Sequence, residues 1–410
     1  SQKYSIRCDF GTTCNFTLEE ITKFVDDLQI NIGTEGDAKV RDYQLFAVQH
    51  ILNVFGATIV SPTASGKSLI LYIIIRYMLN AGLKKGLLIV PTTNLVNQMY
   101  DDFRDYSKNN GWDVEKNCHK IYSGKEKTTN CPVVISTWQT LHRQPSDYFH
   151  EYEFAIGDEC HLFKAASLSA VMCNLINAKY RVGCTGSLDG KKVHKLVLEG
   201  LFGPVFKATT TSKLIERGDL AKFHINCLVL KYPETTRKFM RKSEFKDELD
   251  YLVTNAARNT FIRNLALSLK GNTLVLFQFV EKHGVPLHKM IDDKKPEGQQ
   301  VYLIHGVTEA EERERVRLLV NSSNNSIIVA SYGTFSTGVN IPNLHNVVFA
   351  SPSKSKIRNI QSIGRTLRVG TDKTEAVLYD ISDDLRIGKH INHTMKHLFE
   401  RIKIYNEEKF

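Results

Sequence analysis

The stretch Ser61-Pro62-Thr63-Ala64-Ser65-Gly66-Lys67-Ser68 constrains this chain more than any other. A short apolar strand, Ala57 to Val60, runs into it, and a helix-forming apolar run, Leu69 to Ile75, leaves it. Strand, tight loop ending in Gly-Lys-Ser, then helix is the arrangement that cradles a nucleotide's phosphates. Backbone N–H groups from Thr63, Ala64, Ser65 and Gly66, with the helix N-terminus behind them, meet the anion. Lys67 meets the outer phosphates, and the Ser68 hydroxyl meets Mg²⁺. The first glycine of G-x-x-x-x-G-K-[ST] is Ser61 here, so the loop needs support from the rest of the chain.

That support starts with the pattern around it. Tyr43 to Phe55, Ser68 to Leu79 and Leu95 to Tyr106 have helical spacing. Ala57 to Val60, Gly86 to Val90, Val133 to Ser136, Phe154 to Ile156 and Tyr180 to Gly183 are short apolar runs, each ending at a polar motif. Such alternation predicts a parallel sheet covered on both faces, with ligands at the carboxyl ends of its strands. The pattern changes between Lys207 and Tyr232. A second series follows: Phe223 to Leu230, Thr273 to Val280, Val301 to Ile304, Ser326 to Ser331, Asn346 to Ala350 and Ala376 to Asp380. The expected architecture is α/β, two tandem domains over residues 41–221 and 222–410, each a mostly parallel sheet flanked by helices, with a nucleotide cleft between them; the family resemblance set out below implies that both are RecA-like. Residues 1–40 read as an N-terminal flank, the end of a domain that continued upstream, since the chain opens on Ser1 rather than Met.

Length and charge fit this plan. With 410 residues and 42% hydrophobic residues, the chain can fill two cores. A net charge of +10 favours a polyanionic partner, although a merely basic surface gives the same number. Eight cysteines occur without C-x-x-C or paired metal spacing, which points to reduced thiols rather than disulfides or zinc. No apolar run approaches membrane-spanning length, and no signal peptide is present in the sequence.

Two further motifs carry chemistry. Asp158-Glu159-Cys160-His161 follows the apolar strand Phe154 to Ile156. A carboxylate at a strand end beside a phosphate loop can hold Mg²⁺, and its neighbour can polarise water for in-line attack on the γ-phosphate. Asp158 is therefore the metal-side residue and Glu159 the catalytic base; the alternative is an acid-rich turn or helix start. His161 either links the nucleotide site to the second domain or packs. In Gln361-Ser362-Ile363-Gly364-Arg365-Thr366-Leu367-Arg368, Arg365 and Arg368 lie three apart and share one face if helical. Two guanidiniums on one face suit a triphosphate, and such an arginine is worth roughly 10³–10⁵ in phosphoryl-transfer rate. The alternative is a basic face meeting solvent or nucleic acid.

Taken together and in this order, these motifs resemble those of the superfamily 2 helicases from Arg41 to about Arg368. Arg41-Asp42-Tyr43-Gln44 resembles the adenine-recognition motif, implying that Arg41 and Gln44 meet the base. Ser61 to Ser68 resembles motif I, in a form whose first position need not be glycine. Pro91-Thr92-Thr93-Asn94-Leu95 resembles motif Ia, Ser136-Thr137-Trp138-Gln139-Thr140 motif Ic, Asp158 to His161 motif II and Thr185-Gly186-Ser187 motif III. Ser331-Tyr332-Gly333-Thr334 with Ser336-Thr337-Gly338-Val339-Asn340 resembles motif V, bringing Gly338 and Asn340 to the nucleotide, and Gln361 to Arg368 resembles motif VI. Within the superfamily, the phage recombination and repair helicases are the nearest in pattern. That resemblance implies an ATP-driven enzyme with Mg²⁺ that regresses forks, migrates junctions and unwinds D-loops or R-loops with 3′-to-5′ polarity. It also implies a small N-terminal domain ahead of the motor and a setting in the cytoplasm of a phage-infected host.

Nucleic-acid contacts follow from the residue types. Thr92, Thr93 and Asn94 precede a predicted helix, where hydroxyls and unspent N–H groups bind phosphate. Thr137, Gln139 and Thr140 offer similar donors, as do Ser331, Thr334 and Thr337 in the second domain. Each taken singly also fits a plain cap or turn. Trp138 either stacks on a base or packs in the core. Basic clusters at Lys191-Lys192, Arg237-Lys238, Arg241-Lys242 and Lys354 to Arg358 either track a strand or are solvated surface. The expected partner is branched or single-stranded DNA, with an RNA–DNA hybrid as a further candidate; no membrane is expected, and a monomer is. Competing readings are an RNA helicase, a restriction-type motor (disfavoured, as no nuclease-like acidic cluster follows) and an ATP-independent annealing module.

Overall fold

The computed structural model describes residues 15–32, 39–122, 126–163, 165–336, 341, 343–351, 364, 373 and 375–408. The chain divides into two compact units, Ser1–Thr209 and Thr210–Phe410. The division precedes the change at Lys222 expected from sequence, because the short helix Thr211–Glu216 groups with the second unit.

In the first unit the described residues form a 7-stranded sheet of order β3-β4-β2-β5-β6-β1-β7. Its strands are β1 (Gly56–Val60), β2 (Gly86–Val90), β3 (Cys118–Ile121), β4 (Val133–Thr137), β5 (Phe154–Asp158), β6 (Tyr180–Thr185) and β7 (Val205–Lys207). Every pairing is parallel. The central strands β2, β4 and β5 are buried at all five positions, as expected for a sheet covered on both faces. The helices that matter here are α1 (Leu18–Asp27), α2 (Asp42–Val54), α3 (Lys67–Asn80) and α4 (Thr93–Tyr106). Thr17 caps α1 in a reciprocal box with Glu20. Residues Leu69 to Ile75 of α3 are all buried, so α3 is an interior helix and holds the phosphate loop against the core.

In the second unit the described residues form a 6-stranded sheet, also parallel, of order β10-β11-β9-β12-β13-β8. The strands are β8 (Lys222–Lys231), β9 (Thr273–Phe277), β10 (Gln300–Ile304), β11 (Ser326–Ser331), β12 (Asn346–Phe349) and β13 (Glu375–Asp384). Elements the sequence pattern does not signal include β3, β7 and the helix Lys192–Phe202. The two strands are short edges with half-polar sequences, and the helix starts in what looks like a basic run.

Candidate nucleotide site and nucleic-acid groove

Because every strand of the first sheet runs the same way, the motifs at their carboxyl ends share one edge. Register makes this specific. Val60 pairs with Thr185 and Cys184 with Asp158, so the phosphate loop, Thr185-Gly186-Ser187 and Asp158-Glu159 stand side by side. Val90 pairs with Thr137, which sets Thr92-Thr93-Asn94 beside Thr137 to Thr140.

The loop after β1 is braced from within and from α2. The Pro62 carbonyl accepts the Ser65 N–H at 3.2 Å, the Ser65 hydroxyl at 2.6 Å and the Lys67 ammonium at 3.3 Å. The Ser61 and Ser65 hydroxyls meet at 2.6 Å, both fully buried. A serine at the first loop position is therefore a structural brace. The Ser65 carbonyl accepts from Tyr43 Oη at 2.8 Å and from Gln44 Nε2 at 2.9 Å. Gln44 Oε1 accepts the Arg41 N–H at 2.9 Å, and the Arg41 guanidinium donates to Tyr43 Oη at 3.1 Å. Gln44 is buried and its amide ties the start of α2 to the loop, so the residues expected at an adenine also hold the phosphate loop in shape. Gly66 has φ 75° and a Cβ there would lie 2.4 Å from Gln44 Nε2, so a side chain at this position is strained and displaces the Gln44 amide. Ala64 (φ 66°) and Glu159 (φ 48°) adopt the left-handed region without being glycine, a local strain of the kind that collects at functional sites.

Across from the loop, Asp158 is buried and its Oδ1 has no hydrogen-bond partner among the described residues. Burial, reinforced by the neighbouring Glu159 carboxylate and offset by Lys67, raises its pKa to about 7. His161 Nδ1 lies 2.9 Å from Thr185 Oγ1 and 3.2 Å from Glu159 Oε2, and Thr185 Oγ1 lies 3.4 Å from the same carboxylate oxygen. Glu159 is thus oriented by the end of β6. A side chain at Gly186 would place its Cβ 3.6 Å from both Lys67 Nζ and Thr63 Oγ1, entering the space before the lysine. An orphaned, desolvated carboxylate oxygen beside an ammonium fits a hard divalent cation carried with a polyphosphate. The Ser68 hydroxyl sits 2.9 Å from Tyr106 Oη, at the end of α4. Tyr43, Tyr106 and Thr185 take part in this site without any sequence signal singling out their contacts.

At the same edge, a cavity of about 500 Å³ is lined by Pro91, Thr92, Thr93, Tyr122, Lys127, Thr137, Gln139, Thr140 and Arg143. Thr92 caps α4 through the Leu95 N–H, Gln139 Nε2 donates to the Pro91 carbonyl at 3.3 Å, and Thr137 and Thr140 share a 3.1 Å bond. Asn94 is exposed beside it. Tyr122, Lys127 and Arg143 were not among the residues expected from sequence; Arg143 lies in the turn just after the short helix Trp138–Leu141. Trp138 packs against the Leu87–Phe202 core rather than standing clear for a base.

In the second unit Ser331 and Thr334 are buried and bonded to each other at 2.8 Å, capping the turn after β11. Thr337, Gly338, Asn340, Arg365, Arg368 and the basic run Lys354 to Arg358 lie outside the described residues.

Two family models match the chain: "Type III restriction enzyme, res subunit" over residues 37–189, and "Helicase conserved C-terminal domain" over residues 257–370. The ATP-dependent DNA helicase uvsW of Enterobacteria phage T4 is 36% identical over 362 residues, covering 85% of this chain and 71% of that protein. The chain belongs to the superfamily 2 helicases, in the family of that phage enzyme. The crystal structure of T4 UvsW covers 97% of this chain and 80% of its own, at 32% identity and a TM-score of 0.42. An ATP-dependent Type ISP restriction-modification enzyme, LlaBIII, bound to DNA, aligns over 92% of this chain and 30% of its own with a TM-score of 0.64. At 17% identity it speaks for the fold alone: parallel sheets flanked by helices, the helicase motor architecture. The family assignment accounts for the shared edge on which the phosphate loop, Asp158-Glu159 and Thr185 to Ser187 converge.

Proposed function

We propose that this chain is an ATP-dependent DNA helicase and translocase that remodels branched DNA, regressing forks, migrating junctions and unwinding D-loops or R-loops. The observation that carries the reading is the convergence at one sheet edge of Lys67, Asp158, whose Oδ1 has no hydrogen-bond partner among the described residues, and the oriented Glu159, with a groove lined by Lys127 and Arg143 beside them. The sequence relationship to the T4 enzyme supports DNA as the substrate.

In this reading, the backbone of Thr63 to Gly66 and the start of α3 bind the triphosphate. Lys67 leaves its weak 3.3 Å bond to the Pro62 carbonyl for the outer phosphates. Ser68 and Asp158 would hold Mg²⁺, which when bound neutralises phosphate charge. Glu159 orients and deprotonates the attacking water, its own position fixed by Thr185 and His161. Arg41 and Gln44 meet the adenine, with Gly338 and Asn340 close to the nucleotide. Arg365 and Arg368 stabilise charge on the transferring phosphoryl group. Thr92, Thr93, Asn94, Thr137, Gln139 and Thr140, with Ser331, Thr334 and Thr337 from the second unit, contact the DNA backbone, giving little sequence preference. The chain works as a monomer on branched or single-stranded DNA or an RNA–DNA hybrid.

The test is ATP-dependent unwinding of a model fork compared with a simple 3′-tailed duplex and an RNA duplex, with Glu159→Gln as control. Preferential fork processing that disappears in the variant supports the reading. Turnover stimulated by RNA alone, or strand annealing that persists in Glu159→Gln without ATP, overturns it.

A further inference from the structure

One basic cluster finds no role in the motor chemistry. The helix Glu234–Met240 and the turn after it carry Arg237, Lys238, Arg241 and Lys242 around Phe239. The helix is firmly seated. Met240 is buried with Leu252 and Leu385, and the Arg237 guanidinium donates to the Arg386 carbonyl at 3.1 Å. Thr236 and Met240, four apart, therefore face inward, which turns Thr235 and Phe239 outward. Phe239 is 79% exposed.

A single exposed phenylalanine is unremarkable by itself. Its surroundings make the difference. Phe245, a few residues on, rests against His393 and His397 with ring centroids 5.9 and 5.0 Å away. Phe239 has no ring or cation–π partner among the described residues. Lys238 is tied to Glu234 at 2.9 Å, whereas Arg241 and Lys242 are exposed and make no ion pair among the described residues. A rigidly held aromatic face beside two unspent cations is complementary to one kind of ligand: an unpaired base for the ring and its flanking phosphates for the cations.

We propose that the Glu234–Met240 helix is a stacking platform for a single DNA strand, engaging an unpaired base through Phe239 and adjacent phosphates through Arg241 and Lys242. The proposal rests on the reading of the chain as a DNA motor and names a surface beyond the motif residues. It places a sequence-tolerant grip on the strand in the second unit. A single strand is the favoured occupant because the ring can stack only on a base that is not already stacked in a duplex.

The test uses the full chain with a fluorescein-labelled single strand and a fork, both carrying 2-aminopurine in one strand. Phe239→Ala is expected to weaken single-strand binding roughly tenfold and to restore 2-aminopurine emission that stacking quenches, while Phe239→Trp retains both. Arg241→Ala with Lys242→Ala is expected to reduce the slope of log affinity against log salt by about 1.4. ATPase without DNA stays unchanged in all three, because none touches the nucleotide site. Unchanged affinity, emission and salt slope in the variants, with wild type unwinding the fork, overturns the platform and leaves the motor reading standing. A change in sedimentation with Phe239→Ala but none in DNA binding would instead make the ring a protein contact, and also overturns it. Absence of ATP-driven unwinding in the wild type overturns the motor reading on which the proposal rests.

Discussion

Two polar regions of this molecule are built on opposite principles. In the first unit, the strand-end site leaves buried groups unspent: Asp158 Oδ1 and Ser187 Oγ have no partner among the described residues, and Lys67 holds one long bond. In the second unit, three charge networks buried just as deeply, around Arg258, Arg401 and Glu248, are saturated. Arg258 and Asp383, both inaccessible, form two bonds of 2.8 and 3.1 Å; Arg258 also donates to the Ala350 carbonyl, and Tyr232 to Asp383. Arg401 forks onto Asp380, with Ser382 and Tyr405 completing the set. Glu248 accepts from the Asn392 amide, the His393 and Thr394 N–H groups and the Thr394 hydroxyl, capping the helix His393–Glu408. Saturated networks fix a fold, whereas orphaned buried groups cost stability and persist where a ligand completes them. The contrast predicts that substitutions in the two regions will fail in different assays.

The largest effect belongs to the unspent region. Lys67→Ala removes the charge that meets the outer phosphates and breaks only the bond to Pro62. ATP hydrolysis should fall by roughly 10²-fold or more, with a stability change within about 0.5 kcal/mol by urea denaturation. Near-normal turnover would break the site assignment. In the saturated region, Asp383→Ala strands the Arg258 guanidinium in the interior and deprives Tyr232 of its acceptor. Stability should drop by about 3–5 kcal/mol, while nucleotide binding to any remaining folded protein stays close to wild type. A loss of nucleotide affinity at unchanged stability would erase the distinction.

How legible were these regions beforehand? The first was readable almost entirely, because chain direction does the work. Once Gly56–Val60, Phe154–Asp158 and Tyr180–Thr185 are parallel strands, Lys67, Asp158 and Thr185 must meet at their carboxyl ends. Some contacts are local in sequence, such as the cap of α1, where Thr17 and Glu20 bond each other three residues apart. The missing parts are those made by distant residues. Nothing in the sequence joins Ser68 to Tyr106, |i−j| 38, or Arg258 to Asp383, |i−j| 125. β3 and β7 escaped because edge strands need no apolar run. Glutamine at position 44 could be expected near the nucleotide, but not its bond to Ser65, which depends on how α2 packs over the loop.

The comparison can be sharpened by pH, since each region holds a buried titrating group shifted in a diagnostic direction. Asp158 is raised to about 7, chiefly by burial. Its unfolded pKa is about 3.9, so between pH 4 and 7 the unfolded chain has already lost the proton that the folded one keeps. Asp158 therefore subtracts stability as pH rises through that window. His283, bonded to Ser351 at 3.0 Å and Asn259 at 3.2 Å, is lowered to about 3 by burial and then by Arg258. With an unfolded value near 6.5, it gives stability that is intact at neutral pH and is lost as pH falls from about 6.5 toward 3. Asp158→Asn should accordingly be more stable than wild type without nucleotide, with a gap that opens from pH 4 to 7 and reaches on the order of 4 kcal/mol. His283→Gln should flatten the acid limb instead. A gap for Asp158→Asn that narrows as pH rises would contradict the desolvated carboxylate.

The smallest expected effect probes a contact between the start of α3, just after the nucleotide loop, and the end of α4, the helix behind the groove. α4 begins at Thr92 and Thr93, which line the cavity, and ends at Tyr106, whose hydroxyl meets that of Ser68 at 2.9 Å. The Ser68 hydroxyl has one proton and two lone pairs. Either hydroxyl can donate in this pair; with Ser68 donating to Tyr106, both of its lone pairs are left to a cation. Tyr106→Phe removes that acceptor while the ring still packs 5.4 Å from Tyr72. A neutral hydrogen bond of this kind is worth about 0.5–1.5 kcal/mol, so the Mg²⁺ concentration needed for half-maximal nucleotide binding should rise roughly two- to tenfold. Binding of nucleotide in excess EDTA should be unaffected, which separates positioning of Ser68 from damage to the loop. If the variant instead loses stability and keeps its Mg²⁺ dependence, the Tyr106 hydroxyl belongs with the saturated networks of the fold, and the unspent region ends at the phosphate loop itself.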